Sequence, residues 1–276
     1  MIVVTGATGG VGSEVMRQLA AAGHPVRALS RRPEQVDAPP GVEVVRADLA
    51  DLETLPAAFA GADTAFLYTV FGEPEPMLAA ARAAGITRVV LLSSLAVEAV
   101  EGANEIGDTH RAVEDAIRAS GLAWTFLRPG AFTSNVRFWA AQIRATGVVR
   151  AVYPDVASAM IDPVDIATVA VLALTTDGHA GGAYPLTGEQ VLTQAEQATV
   201  IGEVVGKPTR FEEVGEEEFI AEMSQHIPER YVHGMLGAQR AMAGRPASVS
   251  PAFRELTGRA PRTLADWVGD HATEFK

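Results

Sequence analysis

Thr5-Gly6-Ala7-Thr8-Gly9-Gly10-Val11-Gly12 decides the fold. It follows a short apolar run, Ile2 to Thr5, read as a buried strand. It opens a segment with apolar residues at helical spacing, Val11, Val15, Leu19 and Ala22, that ends at Gly23. Gly6, Gly9 and Gly12 stand three apart. The first permits a tight turn, the second lets backbone N–H groups approach a pyrophosphate, and the third lets helix pack closely on strand. Thr8, Gly10 and Val11 share the loop and join the glycines as candidate phosphate-binding positions. The helix N-terminus adds its positive dipole end and free N–H groups. Three glycines alone would describe an ordinary turn; their place between a first strand and a helix makes them a dinucleotide fingerprint.

Outward from this loop, two kinds of segment alternate. Pro25–Ser30, Val42–Ala47, Ala62–Tyr68, Arg88–Ser93 and Trp124–Arg128 read as strands. Leu52–Phe59, Pro76–Ala84 and Thr109–Ser120 read as helices between them. Such alternation predicts an α/β fold with a doubly wound parallel sheet. Near-continuous apolar strands such as Val89-Val90-Leu91-Leu92 fit a sheet buried on both faces. After Pro129 the pattern changes. Phe132–Ala145, Pro163–Leu174 and Thr193–Val205 are predicted as helices, Ala183–Leu186 as a short strand, and the remainder as mostly helical. The expected division is a cofactor domain over residues 1–130 plus about 161–176, and a smaller, mostly helical C-terminal substrate lobe over 131–160 and 177–276.

Composition narrows the function. The 276 residues are long enough to bury a sizeable core, and 48% of them are apolar. A net charge of −12 repels a nucleic-acid backbone on average. No apolar run approaches the ~18 residues of a membrane span, and a strand at Ile2 leaves no room for a leader, so a cytoplasmic protein with neither nucleic-acid nor membrane partner is expected. The absence of cysteine removes disulfides, thiolate metal sites and thiol nucleophiles. Of 22 basic residues only Lys207 and Lys276 are lysines.

The second strand end names the cofactor. An acid there would hold a ribose 2′-hydroxyl, but the stretch reads Leu29-Ser30-Arg31-Arg32. Two guanidiniums suit a 2′-phosphate, so NADPH (or NADP⁺) is expected over NADH; the plainer alternative is a pair of solvated arginines. Asp48-Leu49, after the third strand, either meets the adenine or starts a helix. Leu67-Tyr68-Thr69 and Ser93-Ser94 end the fourth and fifth strands, where they either line the cofactor cleft or serve core and turn.

With these residues in view, the sequence resembles the NmrA-like branch of the atypical short-chain dehydrogenase/reductases, and its quinone-reductase-like bacterial members in particular. The resemblance rests on Thr5-Gly6-Ala7-Thr8-Gly9-x-x-Gly12, Thr109-His110-x-x-x-Glu114, and Trp124-Thr125-x-Leu127-Arg128-Pro129-Gly130-x-Phe132-x-x-Asn135. It continues in Asp162-x-x-Asp165-Ile166-Ala167, Tyr184-x-Leu186-Thr187-Gly188 and Pro261-Arg262-Thr263-Leu264, so it covers nearly the whole chain. It implies a Rossmann cofactor domain, NADPH, and a small lobe over the nicotinamide. It also implies that Arg128-Pro129-Gly130, with Phe132 after it, passes close to the nicotinamide.

Catalytic members of the superfamily use a Tyr-x-x-x-Lys helix, in which the lysine binds ribose and lowers the tyrosine pKa. None of the four tyrosines (Tyr68, Tyr153, Tyr184, Tyr231) precedes a lysine by four. On the corresponding helix His110 and Glu114 stand at i and i+4, where the carboxylate is expected to favour a charged histidine. His110 either donates to ribose or substrate, as the candidate catalytic residue, or packs on the stripe of Val113 and Ile117. His24, His179, His226, His233 and His271 lack metal-ligand spacing and read as surface or packing residues, so no metal is expected. Asp162 and Asp165 read as helix N-terminal acids. No Gly-x-Ser-x-Gly elbow surrounds Ser93 and Ser94, which speaks against a hydrolase. Phe132, Phe138, Trp139, Tyr153, Met160 and Met235 either wall a pocket for a flat substrate or form core.

The expected function is an NADPH-dependent reductase that passes hydride to a quinone, enone or similar flat, apolar small molecule. An electron-poor acceptor takes hydride without strong acid catalysis. The same missing pair leaves open a non-catalytic NADP(H) sensor or a non-redox biosynthetic tailoring enzyme. A helix-mediated homodimer is compatible with the sequence.

Overall fold

The computed structural model describes residues 1–69, 73–99, 105–225 and 227–276. In chain order it opens with β1 (Ile2–Val4), α1 (Gly10–Ala21), β2 (Val26–Ser30), β3 (Glu43–Arg46), α2 (Leu55–Phe59) and β4 (Thr64–Tyr68). Then come α3 (Glu75–Ala83), β5 (Arg88–Leu92), α4 (Glu105–Ser120) and β6 (Ala123–Pro129). They are followed by α5 (Ala140–Thr146), β7 (Val148–Ala151), β8 (Ala157–Ser158), α6 (Pro163–Thr175), β9 (Gly182–Leu186), β10 (Leu192–Thr193) and α7 (Gln194–Val205). The chain closes with β11 (Arg210–Glu213), α8 (Glu216–Met223), α9 (Glu229–Met242), α10 (Ala252–Thr257) and α11 (Leu264–Asp270).

Seven strands form one parallel sheet in the order β3-β2-β1-β4-β5-β6-β9. The order reverses between β1 and β4, and the crevice outside the carboxyl ends of such strands is where a dinucleotide binds. The strands are apolar because both faces are covered: on one, Val3, Leu29, Ala65, Leu67, Val89, Leu91 and Phe126 join Leu55, Phe59, Leu78, Val113 and Ile117 in one core, and on the other Val4, Ala28, Phe66, Val90 and Leu127 are buried as well. The fold is the α/β doubly wound one that the alternation predicted.

The chain divides into two units. The first holds Met1–Gly130, Pro163–Leu186 and Ala252–Gly258; the second holds Ala131–Asp162, Thr187–Pro251 and Arg259–Lys276. This differs from the expected boundaries at 177–186 and 252–258. Gly182–Leu186 is not lobe structure: it pairs in parallel with Thr125–Pro129 as the seventh strand of the main sheet. Helix α10 packs on α6 and β9 and goes with it.

The second unit has its own core, with Val136, Ile143, Val149, Ile201, Trp267 and Phe275. It carries two small sheets, β7 parallel to β11 and β8 antiparallel to β10. Helix α7 begins with a capping box in which Thr193 and Glu196 exchange hydrogen bonds. The helix expected over Phe132–Ala145 is α-helical only from Ala140; Thr133–Trp139 is a 3₁₀ turn. Thr133, Ser134, Asn135 and Val136 are weak α-formers, which favours the tighter, shorter helix. No described helix is long and apolar enough to cross a membrane.

Candidate dinucleotide site

The loop after β1 is built around contacts that a side chain would destroy. A Cβ on Gly12 would lie 2.3 Å from the Gly6 carbonyl oxygen, so only glycine lets α1 start this close to the strand. Gly6 itself has φ +66°, the left-handed region, and the Gly9 N–H donates to its carbonyl at 2.8 Å. Thr8, Gly9 and Gly10 are exposed, while Val11 and Gly12 are buried beneath them. Gly9 caps α1 without a side-chain bond, and no acid lies in the first turn. The helix therefore presents unshielded N–H groups, which fit a pyrophosphate. Thr5 fastens the loop to the neighbouring strand by accepting from the Tyr68 N–H at 2.7 Å.

At the end of β2 the Ser30 hydroxyl accepts from the Arg32 N–H at 3.0 Å. Arg31 and Arg32 are exposed, and among the described residues neither guanidinium has an acidic partner. Arg46, in register with Ser30 on β3, is exposed and likewise unpaired. A cluster of uncommitted guanidiniums fits a 2′-phosphate. Arg46 was missed because the sequence does not say which residue stands beside Ser30. Asp48 accepts from the Ala50 N–H at 3.1 Å, a local turn bond, and Leu49 packs against the core.

The ends of β4, β5 and β6 are unequal. Tyr68 is 50% exposed. Leu67 takes the core alternative its reading left open: it is fully buried in the sheet core, because alternation turns it away from the face Tyr68 occupies. Thr69 is buried and donates to the Leu92 carbonyl at 2.8 Å, a strand-end clamp. Ser94 caps the turn Leu95–Glu98. Ser93 is buried and donates to Glu114 at 2.7 Å. Pro129 is buried, and the Gly130 N–H donates to Leu186 O at 2.9 Å. Phe132, in the second unit, bridges to Ile161.

His110 is half-buried on α4, its Nδ1 2.7 Å from the Ile106 carbonyl. The Glu114 carboxylate is engaged by other residues. The Glu114 carboxylate is 1% exposed and takes a two-pronged grip from Arg128, Nε to Oε1 at 3.0 Å and Nη2 to Oε2 at 2.6 Å. Arg118 adds a bond at 2.8 Å. Burial pushes this carboxyl up, but the hydrogen bonds of Arg128 and Ser93, with the charges of Arg128 and Arg118, outweigh it and hold the pKa below the ordinary 4.5. Glu114 thus stays ionised, and its arginine partner was the signal left unread in the Arg128-Pro129-Gly130 motif.

The remaining candidates scatter. His179 contacts the Tyr184 hydroxyl and Thr176, His233 pairs with Glu229, and His271 stacks on Trp267. His24 is half-buried, and His226 lies outside the described residues. In the second unit Asp162 is buried against Arg262 at 2.7 Å, whereas Asp165 sits in the first turn of α6. Of the residues read as either pocket wall or core, most take the core alternative. Met160 is core, Trp139, Tyr153 and Met235 pack on that core, and Phe138 is 51% exposed. The Tyr153 hydroxyl bonds Glu216, which also binds Arg240. Met160, Gly188, Gln190, Pro261 and Arg262 line a small cavity within this unit.

Comparison with known proteins agrees with the loop. A model of the NAD(P)H-binding family matches residues 6–177. Over its whole length the chain is 44% identical to the (4-alkanoyl-5-oxo-2,5-dihydrofuran-3-yl)methyl phosphate reductase of Streptomyces griseus, 99% of which is covered. It is 34% identical to the NAD(P)H azoreductase of Xenophilus azovorans, again over 100% of this chain and 99% of that protein. The Escherichia coli NADPH-dependent quinone oxidoreductase, solved with NADPH, superposes with a TM-score of 0.83 at 26% identity, covering 98% of this chain and 99% of that one.

Proposed function

The chain belongs to the NAD(P)H-binding family, as an NADPH-using oxidoreductase of its NmrA-like, quinone-reductase-like branch, and from that premise we propose that it reduces a flat, conjugated carbonyl compound. The observation that carries this is a dinucleotide cradle with uncommitted guanidiniums at the ribose end and no Tyr-x-x-x-Lys pair at the other. NADPH, when bound, supplies a hydride. The protein's part is to bind, orient and keep water from the reacting atoms.

Without a strong acid, the acceptor must stabilise the electron pair it receives. Quinones and doubly activated alkenes do so. The substrate named for the Streptomyces griseus relative bears a ring alkene beside a ring carbonyl and an alkanoyl carbonyl. Addition of hydride to the distal alkene carbon leaves the charge shared by two carbonyl oxygens, and such a weakly basic enolate takes its proton from water. This favours an acyl-substituted enone within the proposed class. His110 stands on α4 as the candidate proton donor where water does not suffice.

The test is loss of NADPH absorbance with benzoquinone, an acyl butenolide and a saturated ketone as acceptors. Turnover of the first two and not of the third is expected. Turnover of none, with NADPH bound by calorimetry, would sink the proposal.

A further inference from the structure

The glycine loop sits at the β1 end of the crevice, and Arg31, Arg32 and Arg46, which have no acidic partner among the described residues, stand toward β2 and β3. A dinucleotide spans the crevice. Its adenosine half then faces β2 and β3, which leaves the edge of β4, β5 and β6 for the reacting half. On that edge Ser93 and Arg128 converge on one buried carboxylate from α4.

We propose that Glu114 is a positioning residue for hydride transfer: it holds Arg128 and the peptide Pro129-Gly130 in place, and it fixes the Ser93 hydroxyl by accepting its hydrogen bond. This rests on the reductase reading above. Three sets of contacts fix the segment. The Ser93 N–H donates to the Leu127 carbonyl at 2.7 Å, the Gly130 N–H bonds Leu186, and the Arg128 guanidinium is gripped on both prongs by Glu114. Arg118 is itself anchored over the Trp124 and Phe126 rings, at 5.4 and 4.9 Å. It keeps the second carboxylate oxygen engaged, so the carboxylate has no freedom to swing. Glu98 lies 3.7 Å from the far side of Arg128 and completes the charge balance. Reacting groups misplaced by about 1 Å lose on the order of a hundredfold in rate, so an edge held this firmly serves the reacting half of the cofactor.

The experiment compares wild type with Glu114→Gln and Arg128→Lys. Calorimetry gives the NADPH Kd, and steady-state kinetics with benzoquinone give kcat and KM, below the melting temperature of each variant. Glu114→Gln is expected to lose roughly 10- to 100-fold in kcat while the NADPH Kd stays within about threefold. Arg128→Lys keeps the charge but not the fork, and is expected to show the same split. It carries the test should Glu114→Gln fail to fold. Unchanged kcat in both, or parallel losses in NADPH affinity and kcat, would overturn the proposal. Failure of wild type to turn over benzoquinone while binding NADPH would instead strike the reductase reading.

Discussion

Gly12 in the glycine loop and Arg31 and Arg32 after β2 are tied to NADPH binding by different physics. Gly12 is fixed by contact: the Cβ of an alanine would meet backbone at 2.3 Å, and backbone cannot step aside as a flexible side chain can. Gly12→Ala is expected to abolish saturable NADPH binding in calorimetry while costing about 1–3 kcal/mol in denaturant unfolding. On the reading that Arg31 and Arg32 meet the 2′-phosphate, charge is what counts there instead. Loss of one charge-assisted hydrogen bond is worth about 1.5–3 kcal/mol, or roughly 10- to 100-fold in affinity. Arg31→Ala and Arg32→Ala are therefore expected to weaken NADPH by that factor and leave NADH unchanged. Equal weakening of both cofactors would show that the guanidiniums do not read the 2′-phosphate.

Among elements, α4 couples stability to pH. The Glu114 pKa is lowered in the fold, so the unfolded chain binds more protons there than the folded one as acid is added. Its stabilisation is then full above the ordinary carboxylate value of 4.5 and is lost as pH falls through the lower folded value. Glu114→Gln is expected to flatten the acid limb of a stability–pH curve below about pH 4.5, and to cost about 1–3 kcal/mol at neutral pH, since Arg128 and Arg118 lose their shared carboxylate but keep Glu98 and Asp115. An acid limb as steep as that of wild type would rule the assignment out. The same helix shows what a sequence discloses. Its stripe of Val113 and Ile117 is plain, yet it begins at Glu105, four residues before the expected Thr109, because the charged first turn has no apolar rhythm. The glycine loop and the strands of the first half were legible because local contacts define them. Gly182–Leu186 as a seventh strand, Arg46 beside Ser30, and Glu114 beneath Arg128 were not, since each depends on pairing between distant segments.

Across the whole molecule, two compact units share one chain that passes between them five times, at Gly130–Ala131, Asp162–Pro163, Leu186–Thr187, Pro251–Ala252 and Gly258–Arg259. Neither unit is a continuous stretch, so neither completes its own core until the other's segments have been threaded. Unfolding the first unit would release Pro163–Leu186 and Ala252–Gly258 and so free both ends of Thr187–Pro251, which the second unit must hold. A single cooperative transition is therefore expected in calorimetry, although the chain divides into two compact units. NADPH binds only the folded chain, and at a hundredfold excess over its Kd it adds about 2.7 kcal/mol. The whole transition, not a part of it, should move up in temperature by that increment, and by less in Arg31→Ala at the same NADPH concentration. Two resolved transitions, of which NADPH moves only one, would show instead that the units unfold independently despite their five crossings.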